Sequence, residues 1–215
     1  MRKRPHPVLP SARTGLDFAV LSAPTSTQRH VAVLVGSLRK DSFNRKIATL
    51  VAELASTSLA LKIVEIGPLS LYNQDEDSAP PESWTTFRSQ VSAADAVLFV
   101  TPEYNRSVPG VLKNAIDIGS RPYGKSVWDG KPGAVISVTP GALGAFGANH
   151  HLRQTLVAVN VPAMTQPEVY IAGAGSLFDE KGALTNERTR ELLKKFVQAF
   201  GLWIEANIRP PAAGA

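Results

Sequence analysis

Short apolar runs alternate along the chain with longer segments in which apolar residues recur at helical spacing. Five runs predict β-strands, at residues 30–35, 61–66, 95–100, 133–138 and 168–171. Five periodic segments predict helices, at 43–56, from Pro80–Pro81 to Ala94, at 109–119, at 145–159, and from Thr185 to Pro210. Thr185 is the predicted N-cap of the last helix. Strands that alternate with helices predict a doubly wound α/β fold.

The predicted strands carry apolar residues at successive positions rather than at every second one. Such strands are buried on both faces, which is typical of a parallel sheet covered by helices. Right-handed crossovers then allow the strand order 2-1-3-4-5. The last helix presents one apolar stripe toward that sheet, formed by Leu192, Phe196, Phe200, Trp203 and Ile204.

The loop Gly36–Asn44 joins the first predicted strand to the first helix. Such a junction directs free backbone N–H groups and the positive end of a helix dipole at one place, which suits an anion such as phosphate. Ser37, Ser42 and Asn44 add neutral donors, and Arg39 adds a charged one. The loop lacks the P-loop and dinucleotide fingerprints, so a single terminal phosphate fits best. The alternative is an ordinary turn in which Ser42 only caps the helix.

A second polar loop, residues 101–110, follows the third strand and precedes a helix. Both loops therefore lie at the carboxyl edge of the sheet, where open α/β proteins bind ligands. Pro102 and Pro109 stiffen this loop, and Tyr104 offers a flat ring to a planar ligand. The alternative is a proline-rich connection in which the tyrosine packs only on its neighbours.

Together these loops resemble those of the NADPH-dependent FMN reductase family of flavodoxin-like proteins, which includes chromate and quinone reductases and azoreductases. The motifs are GSLRKDSFN at 36–44 and PEYNRSVPG at 102–110. Weaker matches are the glycine-rich segment 137–144, which continues to 151–154, and the sequence LYNQD at 71–75. The resemblance covers residues 30–207 and implies a flavodoxin-like, five-stranded parallel sheet.

The resemblance also implies FMN as cofactor and NADPH as co-substrate, with roles for residues of three loops. Those matching the FMN-phosphate loop are Ser37, Arg39, Ser42 and Asn44. Those matching the loop that holds the flavin ring are Pro102, Glu103, Tyr104 and Asn105. Those expected near the other side of the ring are Thr139, Gly141 and Gly144.

The implied reaction passes hydride from NADPH to FMN and then electrons to a quinone, free flavin, azo compound or metal oxyanion. No side chain is expected to be catalytic and no metal ligand is expected. Adjacent His150 and His151 point about 100° apart on a helix and cannot share a metal. The family also implies a homodimer or homotetramer, although Arg106, Gly147 and His150 replace residues that form an interface network in chromate and quinone reductase members.

Composition narrows the class of protein further. The absence of cysteine excludes disulfides, thiolate metal sites and cysteine nucleophiles, so redox chemistry requires an organic cofactor. The net charge of +5 comes mostly from residues 1–29. We expect these residues to form a disordered extension and residues 208–215 to form a C-terminal tail. A near-neutral remainder argues against nucleic acid as a partner. With no membrane-spanning run or signal peptide, we expect no membrane partner and a cytoplasmic location.

Two other functions remain open from the sequence. A flavodoxin-like electron carrier would bind FMN without nicotinamide activity, although such carriers are usually strongly acidic. A flavin-free scaffold would keep only the fold.

The Gly/Pro/Lys-rich link at 120–132 carries Tyr123 and Trp128, which predict a loop that covers another surface. These aromatic residues also support the expected oligomer.

Overall fold

A computed structural model describes residues 28–208. The predicted N-terminal extension lies outside this range except for its last two residues, and the predicted C-terminal tail lies outside it except for its first. The elements, in chain order, are β1 Arg29–Val35, α1 Phe43–Leu54, β2 Leu59–Ile63, α2 Glu82–Ser92, β3 Ala96–Thr101, α3 Gly110–Gly119, β4 Gly133–Val138, α4 Phe146–Ala158, β5 Val169–Ile171 and α5 Glu187–Asn207.

The five strands form one parallel sheet in the order β2-β1-β3-β4-β5, which confirms the predicted flavodoxin-like topology. Val33 of β1 aligns with Leu98 of β3, and Phe99 of β3 aligns with Val135 of β4. Every residue of β3 and β4 is buried. Burial on both faces explains why these two strands are apolar at all positions except Thr101 and Ser137.

Helices cover both faces of the sheet and enclose two apolar clusters. Ile47 of α1 and Phe196 of α5 are buried against one face. Trp84 of α2, Leu112 of α3 and Leu152 of α4 are buried against the other. None of the helices between residues 28 and 208 combines the length and apolarity needed to cross a bilayer. This arrangement leaves the carboxyl edge of the central strands to the loops.

Three local predictions were wrong. The second strand spans 59–63 rather than 61–66, because β1 pairs with it from Arg29 opposite Leu59. The N-cap of α5 is Asn186, whose side chain accepts from the Thr189 N–H, rather than Thr185. The fully buried stripe of α5 includes Leu193, whereas Leu192 and Trp203 are only partly buried.

Trp128 does not cover another surface, contrary to the prediction for the 120–132 link. Its side chain is 0% exposed and lies among Phe87 and Phe99 of the second cluster. Its indole N–H donates to the Ile116 carbonyl at 2.9 Å. Tyr123, in contrast, is 92% exposed. Only the tyrosine therefore remains available to a partner.

Candidate functional site

Three loops meet at the carboxyl edge of the sheet, following β1, β3 and β4. They contain ten of the eleven residues predicted to contact a cofactor, and Asn44 lies in the first turn of α1 directly after the β1–α1 loop. Neighbouring strands place these loops side by side, since β1 pairs with β3 and β3 with β4. The structure therefore brings the predicted residues to one edge, as expected for ligand sites in this architecture.

The β1–α1 loop presents unpaired hydrogen-bond donors. None of the backbone N–H groups from Ser37 to Asn44 donates to another residue within 28–208. The Ser37 side chain is buried and its hydroxyl makes no hydrogen bond to the described residues. Arg39 is exposed at the loop surface. Donors without protein acceptors at a helix N-terminus are suited to binding an anion.

Ser42 has the capping role that was the alternative interpretation of this loop. Its hydroxyl oxygen accepts a hydrogen bond from the Arg45 N–H at 3.2 Å, and it is the N-cap of α1. A capping hydroxyl keeps its own proton, so it can still donate to a ligand. Ser42 can therefore cap the helix and donate a hydrogen bond to an anion at the same time.

Asn44 joins the β1–α1 loop to the end of β4. Its side chain is buried, and its amide nitrogen donates to the Val138 carbonyl at 3.3 Å. Its side-chain oxygen is buried and has no donor among the described residues. Because an unpaired buried acceptor is costly, it fits a ligand that supplies an O–H or N–H group.

The β3–α3 loop makes a tight turn beside this position. Tyr104 and Ser107 exchange two backbone hydrogen bonds, at 3.1 and 3.0 Å. Asn105 and Arg106 between them have positive φ angles of 51° and 66°. Pro102 is buried, whereas the Tyr104 and Asn105 side chains are exposed. The turn thus holds a half-exposed aromatic ring at the edge of the sheet.

Glu103 has a structural role that the sequence did not indicate. Helix α4 begins after Ala145, which has a φ of 59° and no capping side chain. The Glu103 carboxylate accepts from the Ala148 N–H at 3.0 Å, and Arg106 approaches it at 3.5 Å. A carboxylate from the neighbouring loop therefore caps α4 and complements its dipole.

We expect Glu103→Ala to lower the free energy of unfolding by about 1–3 kcal/mol, because it leaves the Ala148 N–H without its acceptor. Glu103→Gln is the control, since its amide oxygen can still accept. Urea unfolding followed by circular dichroism measures both variants. Equal loss in the two variants would show that charge, rather than the hydrogen bond, provides the stabilisation.

The β4–α4 loop forms the third side of the site. The Thr139 N–H donates to Ile171, and its hydroxyl oxygen accepts from the Gly141 N–H at 3.2 Å. Gly144 has a φ of 61°, and a Cβ there would lie 2.8 Å from Tyr170 Cβ. Residue 144 must therefore be glycine, because a side chain there would collide with Tyr170 of β5. Gly141, in contrast, is exposed, so its backbone is accessible to a ligand.

A buried polar network that no sequence motif indicated lies behind this loop. Ser137 at the end of β4 donates to the Gly144 carbonyl at 2.7 Å. Asn149 of α4 donates to Ser137 at 3.2 Å and accepts from Arg153 at 2.9 Å. This network fixes the glycine loop against the sheet. A serine inside an otherwise apolar strand was the available signal.

Exposed apolar side chains, which we call the rim, lie on the three loops and at the first residue of α4. They are Leu38 at 51% exposure, Tyr104 at 47%, Leu143 at 59% and Phe146 at 53%. Each loop contributes to this rim, which lies beside unpaired polar groups. A site with apolar walls and few polar groups is typical of a planar organic ligand.

The adjacent histidines have separate partners. His150 pairs with the Tyr170 hydroxyl at 2.9 Å, and His151 pairs with Ser107 at 2.8 Å. Burial raises the pKa of Tyr170, with a smaller contribution from Glu168, so this hydroxyl keeps its proton. His150 therefore contacts β5, whereas His151 contacts the β3–α3 loop. Within residues 28–208, no group of three potential metal ligands lies together.

Known proteins similar to this chain have closely related activities. A family model described as NADPH-dependent FMN reductase matches residues 29–176. A quinone reductase from Pseudomonas putida is 63% identical over 178 residues, which cover 82% of this chain and 95% of the relative. A 2-hydroxy-1,4-benzoquinone reductase from Burkholderia sp. is 48% identical over 174 residues, which cover 81% and 95%.

A solved structure shares the fold and much of the sequence. FerB, a flavoenzyme NAD(P)H:(acceptor) oxidoreductase from Paracoccus denitrificans, superposes with a TM-score of 0.79 at 44% identity. The match covers 84% of this chain and 100% of that chain. The three-loop edge therefore belongs to a scaffold that is shared with a flavoenzyme.

Proposed function

The chain belongs to the NADPH-dependent FMN reductase family, and we propose that it acts as an NADPH:quinone oxidoreductase. It is an NAD(P)H-dependent oxidoreductase that uses FMN. Quinones are the proposed acceptors because the relatives at 63% and 48% identity are named as quinone reductases. Azo compounds and metal oxyanions are less favoured acceptors, and no relative described above is named for them.

The observation that carries the proposal is the set of unpaired N–H groups from Ser37 to Asn44. They fit the terminal phosphate of FMN, together with the Ser37 hydroxyl and the Arg39 guanidinium. Asp41, which is exposed, is the one acidic residue of the loop that would repel the negative charge of a phosphate. The residues present therefore fit the cofactor.

The remaining loops fit the rest of the cofactor. The unpaired Asn44 oxygen can accept from a ribityl hydroxyl, which would satisfy the buried acceptor. Tyr104, Leu143 and Phe146 provide apolar contacts for a planar ring system. Gly141 allows the backbone to approach that ring. These assignments extend the predicted roles of the loops to individual atoms.

FMN, when bound, supplies two-electron chemistry between a nicotinamide and an acceptor. The protein's task is then to hold the reacting partners in orientation and to exclude water. The rim formed by Leu38, Tyr104, Leu143 and Phe146 fits this role, because it is apolar and belongs to the same loops, and to the start of α4, as the unpaired polar groups. No side chain is assigned a catalytic proton transfer.

The test is an absorbance titration of the purified protein without oxygen. We expect a yellow protein whose flavin absorbance is bleached by about one equivalent of NADPH and restored by about one equivalent of benzoquinone. A colourless protein that does not take up FMN would support a flavin-free scaffold. A coloured protein that NADPH does not bleach would support the electron carrier. A higher kcat/KM for an azo dye or chromate than for benzoquinone would contradict the proposal that quinones are the preferred acceptors.

A homodimer or homotetramer stays a prediction. The support from Trp128 is lost because that side chain is buried, but Tyr123 and the apolar rim remain exposed. Exposed apolar groups of this kind often mark interfaces. Light scattering at micromolar concentration determines the mass, and a fully active monomer would contradict the prediction.

A further inference from the structure

A groove beside the β1–α1 loop carries concentrated positive charge. It lies between α1, the 178–184 turn and the start of α5, and it encloses about 420 Å³. We call it the α1 groove and define it by Lys40, Lys46, Leu50, Phe178, Lys181 and Arg190. Its size is that of a small-ligand site.

The charge of this groove is local to it. Five basic residues line it against one acidic residue, Glu53. Residues 28–208 as a whole contain 18 basic and 17 acidic residues. The groove therefore concentrates charge on a domain that is otherwise almost neutral, which favours an anionic ligand.

Two of the five basic residues already have carboxylate partners. Arg45 forms a bidentate pair with Glu65 at 2.7 and 2.8 Å, and Arg190 lies 3.6 Å from Glu187. Lys40, Lys46 and Lys181 have no ion pair or hydrogen bond from their ammonium groups among the described residues. Three cationic groups are thus available to an anion from outside the chain.

Lys46 is held in place without using its hydrogen-bond donors. The rings of Phe43 and Phe178 stack with centroids 6.0 Å apart. The Lys46 ammonium lies 5.8 Å from the first ring and 5.4 Å from the second. These cation–π contacts orient the ammonium while its N–H groups remain free. The position is prepared for an anion before it binds.

Lys181 lies in a hydrogen-bonded turn, and its neighbour Gly182 is close to Lys46. Asp179 accepts from the Gly182 and Ala183 N–H groups at 2.9 and 2.8 Å and donates its own N–H to Ala183 at 3.0 Å. Gly182 has a φ of 82°, and a Cβ there would lie 3.6 Å from the Lys46 Nζ. The turn therefore keeps its backbone close to the Lys46 ammonium.

The groove also has an apolar floor, formed by Leu50, Leu184 and the Phe178 ring. Inorganic phosphate alone would not use this floor. A phosphate carried on a nucleoside would, because the flat faces of its aromatic base can pack against apolar side chains. The chemical class that fits is therefore a phosphorylated nucleoside.

Its location connects the groove to the proposed reaction. Lys40 and Ser42 line the groove and also belong to the loop assigned to the FMN phosphate. We propose that the α1 groove binds the 2′-phosphorylated adenosine of NADPH, with Lys46 and Lys181 contacting the 2′-phosphate. This assignment rests on the proposed function. It makes the groove the part of the protein that determines the preference for NADPH over NADH.

The test uses FMN-loaded protein, so that the phosphate loop is occupied. Calorimetry compares adenosine 2′,5′-bisphosphate with 5′-AMP and inorganic phosphate. The variant combines Lys46→Met, which keeps an apolar stem against the two rings, with Lys181→Ala. Lys195→Ala is the matched control because it removes an exposed lysine of α5 that does not line the groove.

We expect the wild-type protein to prefer the bisphosphate and the double variant to bind it at least about tenfold more weakly. KM for NADPH should rise by a similar factor, while kcat, KM for NADH and FMN affinity stay unchanged. The control variant should match the wild type in every measurement.

Equal bisphosphate affinity in the wild type and the double variant would overturn the assignment. The assignment would also be overturned if inorganic phosphate bound as tightly as the bisphosphate, because the groove would then be a site for free phosphate. A third outcome separates the two proposals. The wild type could prefer the bisphosphate, and the double variant could lose that preference, while NADPH fails to reduce the bound flavin. That result would support the groove and refute the oxidoreductase function. The two proposals can therefore fail separately.

Discussion

Replacing Ser37 and Arg39 together by alanine should weaken FMN binding by roughly 100-fold and leave the fold intact. Removing a hydrogen bond from a charged group costs about 1.5–3 kcal/mol and removing a neutral one about 1 kcal/mol. Each 1.4 kcal/mol corresponds to about a factor of ten. Neither side chain has a hydrogen-bond partner among residues 28–208, so their loss should not destabilise the apoprotein.

Riboflavin is the control ligand because it lacks the phosphate. Flavin fluorescence quenching during titration of the apoprotein gives both dissociation constants. We expect the variant to lose affinity for FMN while riboflavin binding stays within about threefold, because the ring contacts are unchanged. A parallel loss for both flavins would place the two residues near the ring. Unchanged FMN affinity would place the phosphate elsewhere.

Ser42 is a less suitable residue for this experiment, although the sequence places it in the same motif. Its hydroxyl caps α1 through the Arg45 N–H. Alanine at this position would cost about 1 kcal/mol of stability in addition to any lost cofactor contact. An effect of Ser42→Ala on FMN binding would therefore mix two causes, which the Ser37 and Arg39 variant avoids.

The sheet topology was predictable because it depends on features that extend over many residues. Strands such as β3 are apolar at successive positions, here from Ala96 to Val100, and this pattern indicates burial on both faces regardless of the partner strand. The handedness of the crossovers then restricted the strand order. The strand ends were less predictable. β2 begins at Leu59 because Arg29 lies opposite it, and that pairing has no signal in the sequence of β2 itself.

Thr185 and Asn186 show why local chemistry could not identify the cap of α5. Both residue types can cap a helix, and they are adjacent. The Thr185 N–H and hydroxyl both donate to the Leu177 carbonyl, at 2.9 and 3.1 Å. Asn186 is left to accept from Thr189. A contact between residues eight positions apart decided the outcome.

The site shows the same division between local and long-range information. The polar β1–α1 loop was visible because its donors and its helix are contiguous in sequence. The cap that Glu103 provides to α4 joins residues 45 positions apart, so no motif could reveal it. The α1 groove likewise depends on the Phe43 and Phe178 rings meeting across the molecule. The roles assigned to individual cofactor contacts stay predictions until a flavin complex is measured.

Trp128→Ala should be the most destabilising substitution considered, lowering the free energy of unfolding by about 3–5 kcal/mol. The indole is fully buried, packs on Phe87 and Phe99, and donates to Ile116. Its removal leaves a cavity in a cluster formed by three helices and the sheet. Tyr123→Ala is the matched control in the same link, and because Tyr123 is exposed it should change stability by less than about 0.5 kcal/mol.

Gly119 provides an independent test of the same packing. A Cβ at Gly119 would lie 2.5 Å from the Trp128 ring, so Gly119→Ala should cost about 1–3 kcal/mol in the wild-type background. In the Trp128→Ala background the obstructing ring is absent, and the added methyl group should cost much less or even stabilise. Urea unfolding of the four proteins in this double-mutant cycle measures the coupling between the two positions. Additive effects would mean that the tryptophan does not occupy the space above Gly119, and the packing of Trp128 against α3 would be wrong.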